Sequence, residues 1–283
     1  MERVNLLSLP SFVNSYGQTI YLIKDASVKY ELDWSKVSSQ VDLIFGFFGN
    51  GLTFDLLEIN SKSDARVSYM VGADVTLKYA LAELDISNHS ERHFEVDTNG
   101  IVNAGMANFA SGISFMTVVF NLNGTGAKAL WRLATVAKEG DNKLYNISFN
   151  HEAKNTHSRM ENYGVVLDKS ELEFAGISHI KNGAANSVAE QIAKITLFDE
   201  NSIGKANPIL KIDENEVSAS HGATVGKVNE EHLFYLTSRG IDERAATKIL
   251  TLGYLNPILS IFEGEEVGEY LKEAIDGGLS RHV

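Results

Sequence analysis

Cysteine is absent from all 283 residues. Its absence excludes disulfides, thiolate catalysis and ligation of a cluster by this chain's own sulfur, and leaves His, Asp and Glu as the side chains able to bind metal. Proline is scarce, occurring only at Pro10, Pro208 and Pro257. Positive charge is also in short supply: 25 Lys and Arg stand against 37 Asp and Glu, a formal charge of −12. No basic run interrupts that balance, which argues against a surface built to neutralise nucleic-acid phosphates. Long apolar runs are missing too. The most apolar stretch, Leu43 to Phe54, is broken by Gly46, Gly49, Asn50 and Gly51, whereas a spanning helix takes about 20 predominantly apolar residues. Met1-Glu2-Arg3-Val4-Asn5-Leu6 lacks the basic start and apolar core of a signal peptide. A cytoplasmic protein is therefore expected, and the Asn-x-Ser/Thr triplets at Asn88, Asn123 and Asn146 read as chance matches.

What the chain does contain, over its first two-thirds, is short bursts of period-2 alternation. Leu172 and Phe174 interleave with Glu171 and Glu173, as in a strand with one face inside and one in water. Similar bursts occur at Ile20 to Ile23, Val67 to Val71, Val118 to Phe120 and Tyr145 to Phe149, separated by turn residues such as Asp97-Thr98-Asn99-Gly100. Many short strands with little proline suit a sandwich, a barrel or a β-solenoid. No repeat of fixed period is visible, so spacing alone points to a sandwich.

Near residue 229 the period changes to 3.6. Asn229 is placed to cap a helix that opens with Glu230 and Glu231, where the dipole favours acids, and Gly240 is placed to end it. Asp242 starts a second helix, with Ala245, Ile249 and Leu252 on one stripe and Ala246 and Leu250 beside it. Pro257 limits that helix or begins a short one after Asn256. A third helix is expected over about 265–276. The expected domains are a β-rich body, 1–226, and a helical tail, 227–283.

Four segments bear on chemistry. Asn123-Gly124-Thr125-Gly126-Ala127-Lys128 has neither the glycine spacing of a phosphate loop nor a hydroxyl residue after its lysine, and reads as a turn. His89 and His93 would share a face of a helix, but the surrounding pattern is strand and polar loop, and a third zinc ligand is missing. His151 and His157 lie in a polar connection with Glu152 and Ser158, read as a hydrogen-bonded turn rather than a catalytic triad. Ala219 to Gly226 surrounds His221 with small residues. On physical grounds this is a tight crossing into the tail, with a histidine presented at an interface as the sharper alternative.

The run Ile212-Asp213-Glu214-Asn215-Glu216-Val217-Ser218-Ala219-Ser220-His221-Gly222-Ala223-Thr224-Val225-Gly226 resembles the signature of the SufB/SufD family. It continues through Phe234-Tyr235-Leu236-Thr237-Ser238-Arg239-Gly240-Ile241, then Glu243-Arg244-Ala245-Ala246. Upstream, Leu122 to Ala127, His151 to Ser158, Phe174 to Ile177 and Pro208 to Ile212 match in the same order. The resemblance implies a right-handed parallel β-helix with a small C-terminal helical domain, overriding the sandwich. It also implies a non-catalytic scaffold subunit of an iron–sulfur cluster assembly complex, working with a SufC-type ABC ATPase and with a SufB-type subunit or a second copy of itself.

Carried over by position, the resemblance places Phe234, Tyr235, Arg239, Gly240, Ala245, Ile249 and Leu250 on the ATPase-docking surface. It places His221 at the scaffold–scaffold interface, as a metal ligand where the nascent cluster is handled. No cofactor is expected on this chain alone, with ATP used by the partner. Many relatives carry Cys where this chain has Ala219, and the chain is short for the family; both features are read as SufD-like. A β-solenoid that binds or cleaves polysaccharide is the alternative function.

Overall fold

The computed structural model describes residues 3–34, 42–60, 64–84 and 89–259. Its strands, numbered in chain order, form two sheets of nine. The first contains β1 (Val4–Asn5), β4 (Tyr30–Asp33), β6 (Thr53–Ile59), β8 (Thr76–Glu83), β10 (Ile101–Asn108), β12 (Lys128–Ala137), β14 (His157–Val166), β16 (Ser187–Leu197) and β18 (Val217–Lys227), in that order. The second contains β2 (Ser11–Val13), β3 (Thr19–Ile23), β5 (Asp42–Phe47), β7 (Ala65–Val71), β9 (His89–Val96), β11 (Ile113–Leu122), β13 (Asn142–His151), β15 (Glu171–Ile180) and β17 (Ile203–Ile212). From β3 onward consecutive strands belong to opposite sheets, and each pairs with the strand one coil away. All pairings are parallel except the β2–β3 hairpin. The body is thus a parallel β-solenoid of about seven turns, and the sandwich suggested by spacing is corrected. Strand spacing is the same in both architectures; what differs is the pairing partner, which alternation does not encode.

From β6 onward the coils lengthen overall along the chain. Phe54 pairs with Leu77, 23 residues on, Val102 with Ala129, 27 on, and Leu172 with Gly204, 32 on. Successive coils from the third onward turn at one corner through a left-handed residue: Asp74, Asn99, Gly126, Asn155 and Asn186 all have positive φ, a conformation that Asn, Asp and Gly tolerate best. Their N–H groups donate along the stack, Asn99 to the Thr125 carbonyl at 3.0 Å and Asn155 to that of Ala185 at 2.9 Å. Gly124 packs its α-carbon onto the neighbouring turn, where a Cβ would lie 1.9 Å from the Thr98 nitrogen. The turn reading of this Gly-rich segment therefore holds, since its glycines serve close packing between coils.

Inward positions fill the interior. Tyr21, Phe45, Tyr69, Phe94, Phe120 and Phe149 occupy one column, with centroids 4.6–6.0 Å apart. Aromatic rings stacked at this distance add about 0.5–1.5 kcal/mol per pair beyond their buried area. The column then changes character, passing to Ser178 on β15 and Leu210 on β17.

Two helices follow, α1 (Glu230–Ser238) and α2 (Glu243–Leu259). The Asn229 side chain accepts from the Glu231 N–H at 2.9 Å, and Gly240 closes α1 with φ +85°. Asp242 accepts from the Ala245 N–H at 3.0 Å, as expected of a helix start. α2 lies across the outer face of the first sheet, where Leu255 is fully buried in a cluster with Ala134, Val136 and Val165. Pro257 does not stop α2, which continues through it to Leu259. The expected third helix and the C-terminal part of the tail lie outside the described residues.

Candidate functional site

The two ends of the solenoid differ. At one end the outermost strands are β1, of two residues, and β2, of three; at the other they are β17, of ten, and β18, of eleven. Long, flat outer strands expose a row of backbone donors and acceptors and are templates for pairing, whereas very short ones are blunted. Side chains that would be covered by a further coil remain partly open here, with Ile212 at 40% and Val225 at 41% exposure. Pro208 sits in the middle of β17, paired in register with Gly176. Proline is confined to outer strands because it donates nothing to a ladder, so this residue is the sequence signal that could have located the open edge.

His221 stands at the middle of β18, on the same side as Ala219 and Val225, above Gln191 of β16. The tight crossing expected around it is corrected: Val217–Lys227 is one continuous strand, long enough to span the whole sheet width. His221 is exposed, whereas Gln191 is buried. The Gln191 amide nitrogen donates to Ser178 Oγ at 2.7 Å and to the Ile209 carbonyl at 3.1 Å, which fixes its orientation and ties β16 to both strands opposite. The acid-rich turn beside this end is ordered by its own bonds. Asp213 meets His179 at 2.6 Å, and Glu214 accepts from the Gly183 N–H at 3.0 Å.

The other histidines are placed differently. His89 and His93 lie on β9, not on a loop, and with Glu91 they share its outer face. His93 contacts Glu91 at 3.4 Å, while Arg66 holds the same carboxylate at 2.8 Å and lowers its pKa. Among the described residues, no group of three or more His, Asp and Glu is arranged to hold a metal ion. His151 is fully buried, with Nδ1 2.7 Å from Thr156 Oγ1 and Nε2 2.8 Å from Ser158 Oγ. Burial pushes its pKa down to about 4, with His157 adding to the effect. Both nitrogens are committed inside the protein, as a structural hydrogen-bonded turn requires.

Two sites of buried charge were not visible in the sequence. Arg92 pairs with Glu58 in the interior, both fully buried, and the same carboxylate accepts from Trp34 at 2.8 Å, Tyr69 at 2.8 Å and Tyr79 at 2.6 Å. Lys143 donates to the Val136 carbonyl at 2.6 Å and to Asn108 Oδ1 at 3.1 Å, and burial lowers its pKa to about 7. Both belong to alternating strands in which a charge takes an inward place, and only coordinates reveal the partner.

The residues expected to dock a partner lie on α1, the turn after it and α2. Phe234 is 73% exposed, Tyr235 54% and Ile249 47%. The Arg239 guanidinium covers the Tyr235 ring at 4.4 Å, and Gly240 forms the bend between the helices. Ala245 and Leu250 are half-buried. Among the described residues, no helix is long and apolar enough to cross a membrane.

A parallel β-solenoid with one long unpaired end and a helical tail laid on one sheet is the class of protein that fold and surface define here. The family described as "SUF system FeS cluster assembly, SufBD core domain" matches residues 35–254, and the chain belongs to it. The chain is 33% identical over 172 residues to the iron-sulfur cluster assembly protein SufD of Bacillus subtilis, covering 61% of this chain and 39% of that protein. It is 25% identical over 235 residues to an iron-sulfur cluster assembly SufBD family protein of Staphylococcus saprophyticus, covering 81% and 50%. It is 27% identical over 161 residues to SufB of Bacillus subtilis, covering 56% and 35%. The aligned region thus spans half or less of each of these relatives.

Proposed function

We propose that this chain is a non-catalytic scaffold subunit of a SufBCD-type iron–sulfur cluster assembly complex in the cytoplasm. Family membership supports the process. The single observation that carries the assembly role is the inequality of the two ends, with ten- and eleven-residue outer strands facing out at one of them. Through this end the chain pairs with a SufB-type subunit or with a second copy of itself, since a self-complementary end permits an isologous contact.

His221 lies within that contact surface. One imidazole is a weak metal site, so cluster handling at His221 requires further ligands from the paired subunit. The iron–sulfur cluster is cargo of the assembled complex and not a resident group of this chain. The C-terminal helices dock a SufC-type ABC ATPase, which binds and hydrolyses ATP. Exposed Phe234, Tyr235 and Ile249 support this, because large apolar side chains grouped on a surface mark a protein contact.

Anaerobic co-purification with the SUF-type ABC ATPase of the same organism tests the docking role. The wild-type chain is expected to retain the ATPase, and Tyr235→Ala combined with Ile249→Asp to release it without loss of fold. A folded wild-type chain that ignores the ATPase would sink this part of the proposal.

A further inference from the structure

Between α1 and the last coils lies a groove of about 680 Å³. Its floor is apolar, formed by Phe198, Val228, Leu233 and Ile241, and Phe234 stands at its margin. α1 has nine residues and buries none of them. A helix that short is marginal in water by itself, and the Asn229 cap contributes only about 1 kcal/mol. Packing against a further surface would supply what α1 lacks.

The charge around the groove has one sign in excess. Glu230 and Glu243 flank the floor, each in the first turn of a helix. Neither meets a cation among the described residues, whereas Lys227, the one base in the lining, reaches Glu200 at 3.1 Å. Asp199 is committed to its own turn, accepting from the N–H of Asn201 at 2.9 Å and from Ser202 Oγ. Helix dipoles account for acids in first turns. They do not account for an open apolar floor between two such acids.

We infer that this groove seats a basic, apolar-tipped segment of the docked ATPase: an aromatic or branched side chain on the floor, with Lys or Arg beside it meeting Glu230 and Glu243. The inference rests on the docking role proposed above and adds the chemistry of the segment that enters. A second copy of this chain is the poorer occupant, because the charged residues of the lining are themselves mostly acidic and this chain has few bases to offer them, 25 Lys and Arg against 37 Asp and Glu.

The test is titration of the same organism's SUF-type ABC ATPase into wild type, Glu230→Lys/Glu243→Lys, Glu230→Gln/Glu243→Gln and Phe234→Ser, with Ile249→Asp as a docking variant outside the groove. Circular dichroism confirms the fold of each, and the Gln pair stands in if charge reversal disturbs α1. At about 0.05 M salt, reversal is expected to weaken binding about 30-fold or more and the Gln pair about tenfold. Both losses should shrink at about 0.5 M salt, while the loss from Phe234→Ser persists. Wild type that does not bind overturns both the docking role and the groove. Wild type that binds, loses the ATPase with Ile249→Asp, and keeps it within about threefold in both Glu pairs overturns the groove alone. A dimer of this chain that charge reversal dissociates gives the groove to a second copy and likewise overturns the inference.

Discussion

Gln191 lies directly beneath His221 in the β16–β18 register, and the two occupy equivalent inward positions one coil apart. Gln191 is buried and bonded to both opposing strands, while His221 is open to solvent. Nothing about the local strand differs enough to explain this; among the described residues no further coil lies above β18. A histidine left at the last rung is available to whatever completes the stack.

The pairing role predicts the effect of a charge at that rung. Ala223 is exposed on β18 and in register with Ala193, so Ala223→Lys should leave folding intact, within about 0.5 kcal/mol. An inward-pointing charge on an outer strand blocks edge pairing. The native mass of the pair this chain forms, with itself or with a SufB-type subunit, measured by light scattering or mass spectrometry, should fall to that of the separate chains. A mass unchanged by the substitution would place the interface elsewhere.

His221→Ala separates presence in the interface from chemistry. The side chain is exposed, so thermal unfolding should move by no more than about 0.5 kcal/mol and the complex should still assemble. Cluster yield in the reconstituted complex should drop. Full yield from a His221→Ala complex would remove this residue from cluster handling.

The buried Arg92–Glu58 pair predicts a large stability cost. Glu58→Gln keeps the shape but leaves the Arg92 guanidinium charged and uncompensated between Trp34, Tyr69 and Tyr79. Breaking a buried pair on one side costs about 3–5 kcal/mol, to be read from urea denaturation. A cost below about 1 kcal/mol would mean that solvent reaches the guanidinium.

Acid should destabilise the chain through His151. Its folded pKa, about 4, lies below its ordinary 6.5, so the unfolded chain takes up the proton first. Stability is intact above pH 6.5 and declines as pH falls towards 4, by about 3 kcal/mol from this residue. His151→Asn should flatten that acid limb in denaturation curves measured across the range. Lys143 acts in the same direction at higher pH: its folded pKa of about 7 lies below 10.5, so stability rises between pH 7 and 10.5. A His151→Asn variant with an unaltered acid limb would show that another group governs it.

Strands and helices were largely legible in the sequence, and their arrangement was not. The alternation at Leu172 and Phe174, the cap at Asn229 and the stop at Gly240 all stand where local chemistry puts them. The solenoid was legible only through family resemblance, because the coils grow from 23 to 32 residues and blur any fixed period. Pro257 lies inside α2 rather than beyond its end, in the last turn before Leu259. Pro208 carries information of its own, since a proline within a strand marks an outer one. The Arg92–Glu58 contact joins β9 to β6 across the interior, a proximity that no local pattern records.

The short β1 and β2 have a consequence for stoichiometry. Were both termini of the stack equally adhesive, head-to-tail contact would string molecules into a filament of undefined length, the hazard of heterologous contacts that do not close. With one long outer edge among the described residues, the proposed pairing would join two bodies head to head and growth would halt there. Such a pair would be a particle of fixed size, with two helical tails held a set distance apart.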